Sequence, residues 1–287
     1  MKQPLKGKII LITGGSMGIG KCVAEKCAQA GAQVVITART EKDLKDELAV
    51  LKKISSLDHQ FHVLDVGDRS QVEAGVAWAK KKFGALDGLV NNAGIYGPIG
   101  PLQTVDMKEF EDAFHVNFFG TVYMCHYFIP LLEKHKGKII NYSGGGASGP
   151  FANYSAYAAS KTAVVRLTEN LAQELAPLGI TANAVGPGFV VTRLHQQTLR
   201  AGADKAGEKF LENTKKEIER GGVPPEKAAN LTVFLLSKAS DGINGKFISA
   251  QWDPWEKPEF TKKLRQEKNF ATLRRIDEVN FRDAKSA

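Results

Sequence analysis

Tyr157 and Lys161 stand four residues apart in the run Tyr157-Ala158-Ala159-Ser160-Lys161. On a helix that spacing puts both on one face, one turn above the other. An ammonium so close favours the phenolate, so the phenol's pKa is expected to fall from its free value near 10 toward working pH. A phenol tuned that way gives a proton to a carbonyl oxygen or takes one from an alcohol. The same pair also arises in ordinary amphipathic helices, so its meaning depends on what the chain places beside it.

Upstream, residues 8–12 form a short isoleucine-rich run, as expected of a strand buried on both faces. It ends in Thr13-Gly14-Gly15-Ser16-Met17-Gly18-Ile19-Gly20, and a helical pattern follows with Ile19, Val23 and Cys27 on one face and Gly31 as its stop. Strand, glycine turn and helix make a dinucleotide cradle. Gly14, Gly18 and Gly20 let the backbone approach a pyrophosphate, whose charge sits at the helix N-terminus beside Ser16, Met17 and Ile19. The second apolar run, 33–38, ends at Ala38, where an NAD-selective site usually carries an acid for the ribose 2′-hydroxyl. Arg39 follows instead, and a guanidinium fits a 2′-phosphate by charge and by paired hydrogen bonds. NADP(H) is therefore the preferred dinucleotide, with NAD(H) possible.

Further polar groups fall at strand ends. Asp65-Val66 closes the run 60–64 and is placed to hold an adenine, although Asp65 equally suits a helix cap. Residues 87–90 lead into Asn91-Asn92-Ala93-Gly94, where the asparagines either hold a ribose or satisfy the loop's own backbone. Asn117 lies in an apolar neighbourhood on a helix expected over about 105–132 and needs partners there. The run 138–142 ends at Ser143-Gly144-Gly145-Gly146, and 180–185 leads into Pro187-Gly188-Phe189-Val190-Val191-Thr192.

The chain has 287 residues, 43% of them hydrophobic and 24% charged, which is ordinary for a globular protein. Its formal charge of +8 is spread along the chain without a basic block or stacking platform, so nucleic acid is not an expected partner. No signal-peptide core and no spanning apolar run is present, and three cysteines without metal-type spacing fit a reducing compartment. The expected address is the cytoplasm, with no membrane and no metal. Residues 1–252 are expected to form one domain, including a polar, partly helical flap at about 189–222 without a strong apolar stripe. Residues 253–287 are a charged extension carrying Trp255, Phe260, Phe270, Leu273 and Ile276.

The glycine turn, Asn91 to Gly94, Asn117, Ser143, the Tyr157–Lys161 pair and the Pro187–Thr192 run, in this order, resemble the short-chain dehydrogenase/reductase family in its compact branch, over about residues 6–249. The resemblance implies an α/β fold of the Rossmann type: a doubly wound, seven-stranded parallel sheet in a three-layer α/β/α arrangement. It implies that Tyr157 is the general acid/base and that Lys161 lowers its pKa and binds the nicotinamide ribose. Ser143 would hydrogen-bond the substrate oxygen, and Asn117 would support a water link from Lys161. Asn91, Ala93 and Gly94 would border the cofactor, while Pro187, Gly188, Val190 and Thr192 would hold the carboxamide.

Three departures accompany the resemblance. The family's usual serine, thirteen residues before the tyrosine, falls on Gly144; Ser143 is chosen on the assumption of one insertion in the glycine-rich loop, with Ser148 the weaker candidate. The end of the seventh strand lacks the family's usual acid and glycines, and the tail beyond Trp252 is longer than usual. The expected activity is NADP(H)-dependent interconversion of a secondary alcohol and a ketone or aldehyde by a homo-oligomer. The alternative is a weakly catalytic binding or sensing protein that uses its tail for a partner. Tyr96, Pro98, Ile99, Phe151, Phe189 and His195 are candidate pocket walls.

Overall fold

Side chains alternate between two buried clusters along the central strands. In β1 (Ile9–Thr13), Ile10 and Ile12 enter one cluster and Leu11 the other. In β2 (Gln33–Ala38), Val34 and Ile36 oppose Val35, and in β5 (Lys138–Tyr142), Ile140 opposes Ile139. Strands apolar on both faces must be covered on both. Helices α1 (Gly18–Gln29), α2 (Glu41–Ile54) and α9 (Pro225–Leu236) cover one face, and α3 (Arg69–Phe83), α5 (Gly120–Glu133) and α6 (Ser155–Glu174) cover the other. The computed structural model describes residues 3–275.

With β3 (Gln60–Val63), β4 (Gly88–Asn91), β6 (Thr181–Gly186) and β7 (Phe247–Ser249), the strands form one parallel seven-stranded sheet in the order β3-β2-β1-β4-β5-β6-β7. The chain runs outward from β1 in one direction and then returns to β4 on its other side. The carboxyl ends of β1 and β4 therefore diverge at a switch point, where a doubly wound sheet opens its ligand crevice. This is the Rossmann-type α/β arrangement expected from the sequence.

The helix expected over 105–132 is present as α4 (Met107–Phe114) running into α5, but His115–Phe119 between them take the wider π form. A π turn accommodates an extra residue within a helix and is frequent at functional sites. Here it carries Asn117. The flap folds as α7 (Arg193–Ala206) and α8 (Glu208–Glu219), with a kink at Gly202, whose φ is +72°. Its inner side consists of His195, Thr198, Ala206, Leu211 and Thr214, so it is buried without being strongly apolar.

The extension continues from β7 into α10 (Pro258–Gln266) and folds back on the sheet. Phe247 donates its N–H to Ala271 O at 2.8 Å, covering the open edge of β7. Lys246 Nζ donates to the carbonyls of Glu267, Lys268 and Phe270 at 2.6, 3.1 and 2.9 Å. Glu169, buried on α6, accepts the Leu273 N–H at 2.7 Å and pairs with Arg166 and Arg274. Trp255 packs on Phe234 with ring centroids 5.5 Å apart, whereas Trp252 is 77% exposed. Ile276 lies outside the described residues. Among the described residues, no helix is long and apolar enough to cross a membrane.

Candidate active site

Tyr157 sits in the first turn of α6 and Lys161 one turn on, both buried. Lys161 Nζ donates to Tyr142 O at 2.9 Å and lies 6.0 Å from the centre of the Tyr157 ring. Burial pushes the Tyr157 phenol up to about 12 and the Lys161 ammonium down to about 8. This reverses the expected depression of the phenol. Both groups are out of water, and at this separation loss of hydration outweighs their mutual attraction. Tyr157 therefore keeps its proton at neutral pH and is poised as a donor.

Asn117, fully buried, fastens the β4 loop to α6. Its Oδ1 accepts the Ile95 N–H at 2.8 Å, and its Nδ2 donates to Ile95 O at 2.8 Å and Ser160 Oγ at 3.0 Å. Ser160 in turn donates to Tyr157 O at 2.8 Å. Gly94 completes this junction: a Cβ on it would lie 3.1 Å from Asn117 Oδ1 and 3.2 Å from Lys161 Nζ.

Ser143 and Gly144 divide the features expected of one residue. The Ser143 hydroxyl is buried and donates to Lys161 O at 3.2 Å, so its proton is directed at the α6 backbone. Gly144 faces the phenol, for a Cβ there would lie 2.1 Å from Tyr157 Oη. The side facing Tyr157 thus belongs to the position thirteen residues before it, with no shift of register. Ser148 lines a separate cavity described below.

A cleft of about 380 Å³ opens over the switch point. Gly14, Ser16, Met17, Gly18 and Ile19 line it from the β1 turn, Arg39, Asp65 and Val66 from the ends of β2 and β3, and Ala93 and Gly94 from the β4 loop. Tyr157, Lys161, Pro187 and Thr192 close it. The backbone fits a dinucleotide. Gly14 and Gly18 have φ of +63° and +55°, and a Cβ on Gly20 would lie 2.1 Å from Gly14 O. The turn therefore stays tight and delivers the α1 N-terminus to the cleft. Arg39 lies across the rim, its Nη1 3.9 Å from Asp65 Oδ2.

Asn91 departs from its expected place. Its side chain is buried and donates to Asn141 Oδ1 at 2.9 Å and Cys125 Sγ at 3.3 Å, inside the sheet and away from the cleft. Asn92, the next residue, faces the cleft and donates to Thr13 O and Gly14 O at 3.1 and 3.2 Å, bracing the glycine turn. Gly188 and Val190 also lie off the dinucleotide cleft, along the neighbouring cavity. Sequence reasoning also missed Thr40, Ile95, Val116 and Gln197 in the cleft wall. None carries a motif, and only the packing brings them there.

A second cavity, of about 620 Å³, meets the cleft at Tyr157, Pro187 and Thr192. Its walls include Tyr96, Phe151, Phe189, Phe210 and His195, with Phe260, Phe270 and Leu273 supplied by the extension. Of the residues expected as pocket walls, Tyr96, Phe151, Phe189 and His195 line it.

The family model for the short chain dehydrogenases matches residues 8–202. A dehydrogenase/reductase SDR family member 4 from Sus scrofa is 33% identical over 248 residues, covering 86% of this chain and 87% of that protein. A gluconate 5-dehydrogenase from Burkholderia cenocepacia J2315, solved with NADP and tartrate, superimposes with a TM-score of 0.75 at 31% identity, covering 86% of this chain and 95% of that one. An NAD+-bound xylitol dehydrogenase does so with a TM-score of 0.77 at 25% identity, covering 85% and 98%. The chain belongs to the short-chain dehydrogenase/reductase family and is an oxidoreductase with an NAD(P)-binding Rossmann fold.

Proposed function

We propose that the chain is an NADP(H)-dependent oxidoreductase that interconverts a secondary alcohol with a ketone, or reduces an aldehyde. The observation that carries this reading is the buried Tyr157–Lys161 pair, with Tyr157 at the junction of a dinucleotide-shaped cleft and a second cavity that has several aromatic walls. The bound dinucleotide supplies or accepts the hydride. Tyr157, protonated at neutral pH, gives its proton to the carbonyl oxygen in the reductive direction and recovers it in reverse. Lys161 places a positive charge beside the phenol and the expected ribose position. Asn117 holds the Ile95 backbone and, through Ser160, the first turn of α6, so the phenol is kept in place. For Ser143 the proposal is narrower. Its hydroxyl donates to a carbonyl oxygen only by exchanging its bond to Lys161 O, whereas it can accept the O–H of the alcohol form without that exchange.

The cofactor would rest its pyrophosphate on Gly14, Ser16, Met17, Gly18 and Ile19, with Gly20 keeping the turn tight. Arg39 would meet a 2′-phosphate, which favours NADP(H) over NAD(H); Asp65 and Val66 would border the adenine. The NADP in the gluconate dehydrogenase structure supports this preference, and the NAD+ in the xylitol dehydrogenase structure marks the alternative. Ala93 and Gly94 would border the ribose, and Pro187 and Thr192 the carboxamide. The reading is tested by following NADPH consumption against a panel of ketones and aldehydes. Consumption with at least one is expected, and none with any would contradict it.

We also place the chain in the cytoplasm as a symmetric oligomer. Its three cysteines are buried free thiols, which suits a reducing compartment, and cyclic oligomers are the commonest assemblies of such proteins.

A further inference from the structure

His195 is the third residue of α7 and is only 7% exposed. Its Nδ1 lies 3.3 Å from the Thr192 backbone nitrogen. A backbone N–H only donates, so Nδ1 must be the accepting nitrogen and the ring's proton must reside on Nε2. No acceptor among the described residues takes that Nε2–H. Nor is the atom sealed in the core, where the buried unsatisfied side-chain atoms belong to Thr37, Glu47, Asn91 and Thr214. The ring lines the second cavity, 3.9 Å from the Phe189 ring and 6.1 Å from that of Tyr96. Tyr96 stands edge-on to Tyr157 at 4.9 Å, so one aromatic wall carries the phenol and the imidazole in sequence. Burial also pulls the imidazole down to about 4, so it is neutral and singly protonated at working pH.

We infer that His195 is a substrate-binding residue whose Nε2–H donates to a second oxygen on the substrate, set away from the carbon that exchanges hydride. The substrate class is an apolar, aromatic-sized ketone, or its alcohol, bearing a distal hydrogen-bond acceptor. The aromatic part of the wall, Tyr96, Phe151, Phe189 and Phe210, discriminates weakly between similar ligands, whereas a donor closed off by the ligand without an acceptor discriminates strongly. This rests on the proposed hydride-transfer reading for the placement of the reacting carbon, but not for the contact itself.

A purely structural role exists for the same side chain, because it caps α7 through Thr192. Glutamine and glutamate are the residues that normally fill this capping position, so both His195→Gln and His195→Glu keep the cap. Only the first also restores an N–H donor. Binding is measured by calorimetry with full-length protein and NADP+, using 1,4-diacetylbenzene and its isostere without the second oxygen, 4′-isopropylacetophenone. A ketone with the oxidised cofactor does not react, so the dissociation constants are clean. Wild type is expected to bind the diketone tighter by about tenfold, the scale of one well-placed hydrogen bond. His195→Glu is expected to abolish that preference, and His195→Gln to recover most of it. Equal losses for both ketones, an unchanged preference in His195→Glu, or a wild-type chain that binds neither ketone or both alike would overturn the assignment. A preserved preference without NADPH-dependent turnover of either ketone would instead count against the catalytic reading and leave the His195 contact standing.

Discussion

The phenol of Tyr157 fills the space that any side chain on Gly144 would need, since a Cβ there would lie 2.1 Å from Tyr157 Oη. Adding a serine at that position does not add a donor to an otherwise intact site; it pushes the phenol aside. Displacement of a reacting group by about 1 Å can reduce rate by about 10²-fold. Gly144→Ser is therefore expected to lower kcat by about tenfold or more with little change in NADPH affinity. Ser143→Ala, whose hydroxyl bonds the Lys161 carbonyl, is expected to lose only severalfold, the scale of one neutral hydrogen bond. Steady-state kinetics on both variants checks the contrast, and the reverse order would return the substrate contact to Ser143.

The pH profile follows from Lys161. Its ammonium is held down to about 8, so it is charged below that pH and neutral above it, while Tyr157, at about 12, keeps its proton across the working range. Reduction should therefore fall as pH rises through about 8, as the charge beside the phenol is lost. In Lys161→Met, kcat/KM should be lower throughout and this limb should disappear. A wild-type profile that stays flat to about pH 10 would show that Lys161 does not control the step.

Arg39 is largely exposed and its pairing with Asp65 is loose at 3.9 Å, so it is free to turn toward a phosphate. A charge-assisted hydrogen bond contributes about 1.5–3 kcal/mol, or about 10- to 100-fold. Arg39→Ala should lower kcat/KM for NADPH by that factor while changing the NADH value by less than about threefold. An unchanged ratio of the two would remove Arg39 from cofactor selection.

The extension is held by a cation with three backbone acceptors. Lys246→Met keeps the apolar stem but leaves the carbonyls of Glu267, Lys268 and Phe270 without their donor. The expected loss is about 1.5–3 kcal/mol. At about 2–4 °C per kcal/mol for a chain near this size, the melting temperature should drop by several degrees, measurable by calorimetry. No drop would mean that the extension is not part of the cooperative unit.

The strands and the glycine turn were legible because their signals are local: both-face apolar runs give period-2 packing, and the turn's backbone angles demand glycine at Gly14 and Gly18. At the end of β4 the sequence leaves a one-residue ambiguity between Asn91 and Asn92. β4 ends at Asn91 with that side chain inside the sheet, and the change of direction after the strand gives the cleft to Asn92. Apart from His195, the flap's inner face is not legible in the sequence, because Thr198, Ala206 and Thr214 are small or polar and leave no hydrophobic stripe. The direction of the Tyr157 shift is not legible for a different reason. Spacing reveals that a lysine is near, but not that both groups are removed from water. The long-range reach of Lys246 to the tail and the local widening of the helix into the π turn that presents Asn117 have no signature in spacing.

The central claim is that Tyr157 transfers the proton that accompanies the hydride, and Tyr157→Phe tests it with the loss of one oxygen atom. NADPH oxidation is followed for wild type and variant with a ketone that wild type reduces, alongside NADPH binding by each. The expected result is a kcat lower by about 10²-fold or more, with NADPH affinity within about threefold of wild type. A variant that turns over at the wild-type rate would contradict it.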